Sequence, residues 1–227
     1  MKLLAIDTAT EACSVALNIN GEVTEHFELL PRRHSRELLP MIEQILGDAG
    51  LAIGQIDALV FGRGPGAFTG LRVATAMAQG LAFAADIPVI PVSTLAALAQ
   101  QGYRLYGASQ VLSAIDARMD EVYWGAFSEK AGLMALLDDE QVLAPEAVTL
   151  PNGLNDQWLG MGTGWLYQDR LAVTVTDSHK EALPHALDMA LLAAADFREG
   201  RMLPAEEAMP VYLRDKVALT KRERQGQ

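Results

Sequence analysis

Leu3, Leu4 and Ile6 form a short apolar run that ends in Asp7-Thr8-Ala9-Thr10, which predicts a first strand over residues 1–7. From Ala12 to Ile19 the chain alternates, with Cys13, Val15, Leu17 and Ile19 on one face and Ser14, Ala16 and Asn18 on the other, as a second strand requires. Asn20-Gly21 is a hairpin signal, so Glu22 to Leu29 becomes a third strand, and its more polar character places it near an edge. The spacing of Leu38, Leu39, Ile42, Ile45 and Leu46 predicts a helix over about 35–49 capped by Ser35. Pro40 is expected to pull its start forward, because proline fits only the first turn. Ala58-Leu59-Val60-Phe61 reads as a strand covered on both faces. A glycine-rich turn follows, and then a long helix rich in alanine, leucine and methionine, running from near Phe68 to Ala85. Residues 87–92 predict a fifth strand, and Ser93 caps a helix that reaches about Gln101.

The second half echoes the first. Gln110 to Asp116 and Glu121 to Phe127 predict a hairpin around Ala117-Arg118-Met119-Asp120. Residues 157–161 predict a strand ending in Gly162-Thr163-Gly164, and residues 171–176 another. A helix is expected over 184–198, with Leu187, Leu191, Leu192 and Ala195 as its apolar stripe. Residues 133–155, acidic at Asp138-Asp139-Glu140, carry no pattern that assigns elements. Three strands, helix, strand, helix, strand, helix is the order of the ribonuclease H-like fold. Its echo predicts an α/β chain of two ribonuclease H-like lobes around a cleft, the actin-like ATPase superfamily architecture. The first lobe is expected over residues 1–103 and the second over 104–227, with a terminal segment that crosses back and a disordered basic tail.

A chain of 227 residues suits two small lobes. Its net charge of −11 repels phosphate backbones, and no Lys and Arg stripe interleaved with aromatics marks a nucleic-acid surface. Lys216, Lys221, Arg222 and Arg224 gather only in the tail, where a solvated end is the simpler reading and a tRNA or partner contact the other. The single cysteine, Cys13, rules out a disulfide framework within the chain and reads as a buried structural thiol. No apolar run is long enough to span a bilayer, and Met1-Lys2 leads straight into a strand. No signal peptide is therefore expected, and the chain reads as cytoplasmic.

Candidate chemistry centres on Gly62-Arg63-Gly64-Pro65-Gly66-Ala67-Phe68-Thr69-Gly70. A helix starting near Phe68 points its free N–H groups back at this loop and could seat a carboxylate or phosphate. The alternative is a tight turn whose glycines let helix and strand pack closely. Asp7, Thr10, Gly64, Gly66 and Asp116 are the candidates for a cleft that has lost its chemistry; weak or vestigial nucleotide binding stays an alternative, and no cofactor is expected. A small-molecule kinase or ATPase would place Asp7-Thr8-Ala9-Thr10 and Asp116 in its two phosphate turns, but Ala9 stands where close approach needs glycine. Gly162-Thr163-Gly164 is too short a signal for an adenosine site. A two-metal nuclease needs further carboxylates beside Asp7, whereas the strand before the glycine loop ends in Phe61-Gly62 and Asp57 lies at its opposite end. His34 is followed four residues on by Leu38, so it has no helical partner for a metal and reads as a solvated residue. His26, His179 and His185 suggest no metal site either, and no nucleophile and base pair stands out.

Ala5 to Leu17, the glycine loop through Phe68-Thr69-Gly70-Leu71-Arg72, Ile115 to Trp124, and Pro210-Val211-Tyr212-Leu213-Arg214 together resemble the bacterial TsaB family, also called YeaZ. The resemblance implies a two-lobed actin-like fold and a role in making N6-threonylcarbamoyladenosine (t6A) beside the anticodon of tRNAs. It further implies a non-catalytic partner of the paralogous transferase TsaD, with the ATPase TsaE as third member, tRNA held mainly through the complex, and a self-dimer when TsaD is absent. TsaD itself holds its metal with two histidines one helical turn apart. Ala67 stands where the family usually has serine, and Asp120 where glycine is common. Docking in the family joins two helices of each partner into a four-helix bundle. Here that implicates Leu38, Leu39, Ile42 and Ile45 on the first helix. Gly70, Ala74, Met77, Ala78 and Leu81 are the candidates on the second, where small side chains at four-residue spacing admit another helix.

Overall fold

A computed structural model describes residues 1–150 and 157–214. The first strands form as β1 (Lys2–Asp7), β2 (Ala12–Ile19) and β3 (Glu22–Leu29), paired antiparallel through a turn in which Asn20 and Gly21 both take positive φ. α1 (His34–Asp48) differs from expectation at its start: Arg33 is the cap residue, with no side-chain cap bond, and Pro40 lies inside the helix. Pro40 is exposed, while Leu38, Met41, Ile42, Ile45 and Leu46 are buried; that burial holds the helix through the hydrogen bond that proline removes. β4 (Ala58–Gly64), α2 (Phe68–Ala85), β5 (Val89–Ser93) and α3 (Thr94–Tyr106) complete the first half. The Ser93 hydroxyl accepts from the N–H groups of Leu95 and Ala96, as a cap should. The sheet runs β3-β2-β1-β4-β5, with β4 and β5 parallel to β1.

The second half consists of β6 (Gln110–Arg118), β7 (Glu121–Lys130), β8 (Leu133–Leu136), β9 (Gln141–Leu143), β10 (Leu159–Met161), β11 (Asp177–His179) and α4 (Ala186–Arg198). Its sheet order, β8-β7-β6-β10-β11, reproduces the first sheet's sequence of antiparallel and parallel pairings, and β9 shares β7's edge with β8. The strand expected over 171–176 does not form. Leu171 and Val173 turn into a cluster with Trp158 and Trp165, and Thr176 donates through both N–H and hydroxyl to the Trp158 carbonyl, so the ladder starts at Asp177. Single 3-10 turns at Pro145–Ala147 and Thr163–Tyr167, with Trp124, Trp158 and Trp165, cover the face that α1 and α2 cover in the first lobe. Gly160 makes room: a Cβ there would lie 2.4 Å from the Trp165 ring.

Both faces of the first sheet are buried, which is why β1 reads as a continuous apolar run. Leu4, Ile6, Cys13, Val15, Leu59 and Phe61 face α1 and α2; Leu3, Ala5, Ala16, Ala58 and Val60 face α4. Burial pushes the Cys13 thiol up to about 12, as befits a structural cysteine. The third helix of each half covers the other half's sheet: α3 packs its Leu95, Leu98 and Ala99 with Val111 and Phe127, while α4 lies on β1, β2 and β4. The expected boundary at 103–104 falls inside α3. Beyond α4 the chain runs along the first lobe. Leu203 bridges Val89, Ala208 accepts from the Gln79 side chain, and Val211 N–H donates to the Arg63 carbonyl at 2.7 Å. Among the described residues no helix is long and apolar enough to cross a membrane. The basic tail lies outside the described residues.

Candidate functional site

The two lobes face each other across a cleft of about 760 Å³. One wall is the β1–β2 turn with the start of α2, the other is the β6–β7 turn with Thr163 and Leu166, and Val211, Tyr212 and Arg214 complete the lining. Of the sequence candidates, Thr10, Gly66 and Asp116 line this cleft, whereas Asp7 and Gly64 do not. Gly64, at φ +102°, lies under the C-terminal segment, where a Cβ would meet Leu71 and the Val211 carbonyl at 3.0 Å. Asp7 is fully buried. Its Oδ2 accepts from the Ala9 N–H at 3.2 Å, while Oδ1 has no partner and fills the space beside Gly62, where a Cβ would sit 1.9 Å from it. Burial raises its pKa to about 7 against the opposing backbone hydrogen bonds of Ala9 and Thr8. Asp116 reaches the cleft already engaged: Arg118 pairs with it at 2.8 Å, the Arg118 N–H donates to it, and the Tyr167 hydroxyl lies at 3.3 Å.

The glycine loop serves close packing. A Cβ on Gly66 would lie 2.5 Å from the Ala9 carbonyl oxygen and one on Gly70 would lie 1.8 Å from that of Thr8. The Thr8 hydroxyl donates to the Gly70 carbonyl at 2.7 Å, and the Ala67 N–H donates to the Ala9 carbonyl at 2.7 Å. The first turn of α2 is thus clamped onto the β1–β2 turn. His34 departs from its expected solvated role: it lines the cleft half-buried, with Nε2 enclosed and unpartnered. His185 also found a partner that the sequence did not suggest, the Glu25 carboxylate at 2.8 Å. Among the described residues no three His, Cys, Asp or Glu side chains converge to hold a metal.

Tyr212 and Arg214 belong to the Pro210–Arg214 motif, where the sequence alone assigns them no role. Arg118, Met119 and Asp120 all take positive φ, +63°, +57° and +57°, a conformation that non-glycine residues adopt at a cost. Arg214 holds that turn, donating to the carbonyls of Ala117 at 3.0 Å and Arg118 at 3.3 Å and pairing with Glu121. Asp120 thus holds a backbone conformation that favours glycine. Tyr212 packs against Phe68, whose ring also carries the Arg72 guanidinium at 3.8 Å.

The helix faces offered for docking need correction in phase. Leu38, Ile42 and Ile45, together with Gly70, Ala74 and Ala78, are buried against the chain's own sheet or turn, because the first turn of α2 must approach Thr8 closely and the small residues permit it. Leu39, Met77 and Leu81 keep outward exposure. The outward face of α2 is therefore Arg72, Val73, Ala76, Met77, Gly80, Phe83 and Ala84.

Two sheets of matching strand order around a cleft, with one helix exchanged from each half, define the actin-like ATPase class built on ribonuclease H-like lobes. Residues 26–221 match the family model described as TsaD: tRNA N6-adenosine threonylcarbamoyltransferase. The chain is 46% identical to the tRNA threonylcarbamoyladenosine biosynthesis protein TsaB of Escherichia coli (strain K12), over 97% of this chain and 98% of that one. Identity to the TsaB protein of Haemophilus influenzae is 45%, over 97% of each. The solved structure of YeaZ from Pseudomonas aeruginosa is similar with a TM-score of 0.91 at 50% identity, covering 93% of this chain and 99% of that one. The chain belongs to the TsaB family, and its role lies in tRNA threonylcarbamoyladenosine biosynthesis.

Proposed function

We propose that this chain is a non-catalytic subunit of tRNA threonylcarbamoylation, which docks on the TsaD transferase through the outward faces of α1 and α2 and activates it. TsaE is the third partner, tRNA is held mainly by the rest of the complex, and without TsaD the same faces pair two copies of the chain.

Gly80 carries this reading. A glycine in the middle of a helix costs about 1 kcal/mol relative to alanine. Among the described residues, the helix's own adjacent backbone aside, nothing lies within 4 Å of the Cβ that alanine would add, so no contact there calls for the smaller residue. A helix approaching from outside does call for it. Ala76 and Ala84 extend the small surface one turn either way, Phe83 beside them is 77% exposed, and α1 adds Leu39 at 39%. An interface of ordinary size, about 1,600 Å² in total, would cover this face. The cleft supports the same conclusion: Asp7 is enclosed and Asp116 is held by Arg118, so neither is free to take a proton from a substrate.

Calorimetric titration into TsaD from the same organism tests the reading. Wild type is expected to bind one to one, and Gly80→Arg and Ala76→Arg to fold normally and lose binding, because a long charged side chain prevents close helix contact. Undiminished affinity in both folded variants would overturn the proposed face.

A further inference from the structure

Among the described residues no hydrophobic cluster joins the two sheets. The clusters on the first sheet draw on β1, β2, β4, β5, α1, α2, α4 and the segment of Ala205 and Ala208, and those on the second on its strands, α3 and the turns that carry Val148, Trp165 and Leu171. α3 has buried residues in both, Ala97 towards the first sheet and Leu95, Leu98 and Ala99 towards the second. The two halves are also joined by charge: where α3 and α4 meet, Arg104 donates to both oxygens of the buried Asp188 carboxylate at 2.8 Å, and two further ties flank the cleft. Glu140, in the loop between β8 and β9 and only 5% exposed, accepts from Arg63 of β4 at 3.0 Å and from the Ser93 hydroxyl. Ser93 is also the cap of α3, so one carboxylate ties the second lobe to a strand of the first and to the start of the connecting helix. Arg214 makes the second of these ties beside the cleft. The segment carrying it is fixed to the first lobe by Val211 on the Arg63 carbonyl and by Tyr212 on Phe68, while its guanidinium holds Ala117, Arg118 and Glu121 of the second.

We propose that Glu140 and Arg214 are interlobe latches that hold the cleft at one opening, so that the two lobes move as a single block until these contacts break. Apolar surfaces slide past one another at little cost, but an enclosed carboxylate with directional donors has one favourable geometry, and separating it from Arg63 strands a charge away from water. The inference does not depend on the docking reading.

Single-molecule fluorescence transfer between dyes at Gln44→Cys and Asp169→Cys, both exposed positions on different lobes, reads the opening directly. Cys13 is buried and stays unlabelled. Wild type is expected to give one narrow population that salt does not shift, because Glu140 is shielded from solvent. Glu140→Ala and Arg214→Ala are each expected to broaden and shift it, and the double variant to do so most. Glu140→Gln keeps an acceptor for Ser93 without the charge and is expected to fall between; combined with Arg214→Ala it carries the test if the alanine variant does not fold. A broad wild-type population, or an unchanged narrow one in a folded double variant, would overturn the latches.

Discussion

A methyl group added at Gly70 would have to displace the Thr8 carbonyl, which lies 1.8 Å from where the Cβ would sit. Backbone cannot give way as a flexible side chain can, so Gly70→Ala is expected to lower stability by roughly 3 kcal/mol, measured as a fall in the denaturant midpoint. The sequence offered both a packing turn and an anion seat for this loop, and only spatial proximity to Thr8 and Ala9 decides between them. Asp7 was legible as the acid ending β1 but not as an enclosed one, because its burial depends on Gly62 and on Met189 from the far half of the chain. Its folded pKa of about 7 exceeds the ordinary 3.8. Between those values the unfolded chain binds fewer protons than the folded one, so this group's contribution to stability falls as pH rises through that window. Asp7→Asn removes the loss. Its melting temperature relative to wild type is expected to rise between about pH 5 and about pH 8, and a pH-independent difference would contradict the assignment.

At the level of elements, helices and strands were largely readable from periodicity, but the buried side of a helix was not. In α2 the row Gly70, Ala74 and Ala78 faces inward, and in α4 the buried residues are Ala186, Asp188, Met189, Ala190, Ala193 and Ala194, while Leu187, Leu191 and Leu192 are only half-buried. Close contact favours small residues, and Ala5, Ala16 and Ala58 on the facing sheet answer those of α4. Ala74→Arg is accordingly expected to abolish folding, seen as loss of a cooperative thermal transition, and not to serve as a clean interface variant. α4 also takes its cap from elsewhere: its own cap residue His185 makes no side-chain cap bond, and the free N–H groups of Ala186 and Leu187 donate to Ser14 at 2.9 Å and Glu25 at 3.0 Å. Burial raises the Glu25 pKa, but the His185 hydrogen bond and charge, with the Leu187 and Ser14 bonds, outweigh it and leave the net shift downward. The resulting stability is present above the ordinary carboxylate pKa and is lost as pH falls through the depressed one. Glu25→Gln is expected to cost about 1–2 kcal/mol near neutral pH, with the difference from wild type shrinking in acid; thermal melts at both pH values check it.

Across the whole molecule, the duplication was inferred from element order, chiefly the hairpin that opens each half and the helix that closes it; β8 and β9 fall in residues 133–155, where no pattern assigned elements. The exchange of α3 and α4 between lobes was not, because no local pattern says which sheet a helix will cover. A terminal segment crossing back was expected, but not its path along β5 and α2 or its part in the cleft lining, although the Pro210–Arg214 motif marked the segment. The resulting molecule has a cleft beside which Asp7 is enclosed and in which Asp116 is paired and Glu11 exposed, and an outward helix face that the described residues leave uncovered. We propose that this chain acts by docking and not by chemistry in its cleft. The most direct test is threonylcarbamoylation of tRNA by TsaD and TsaE with wild type, Gly80→Arg, or a Thr10→Ala/Asp116→Asn cleft variant supplied as the third protein. Near wild-type modification is expected with the cleft variant and loss with Gly80→Arg. Loss with a folded cleft variant that still binds TsaD would contradict the proposal.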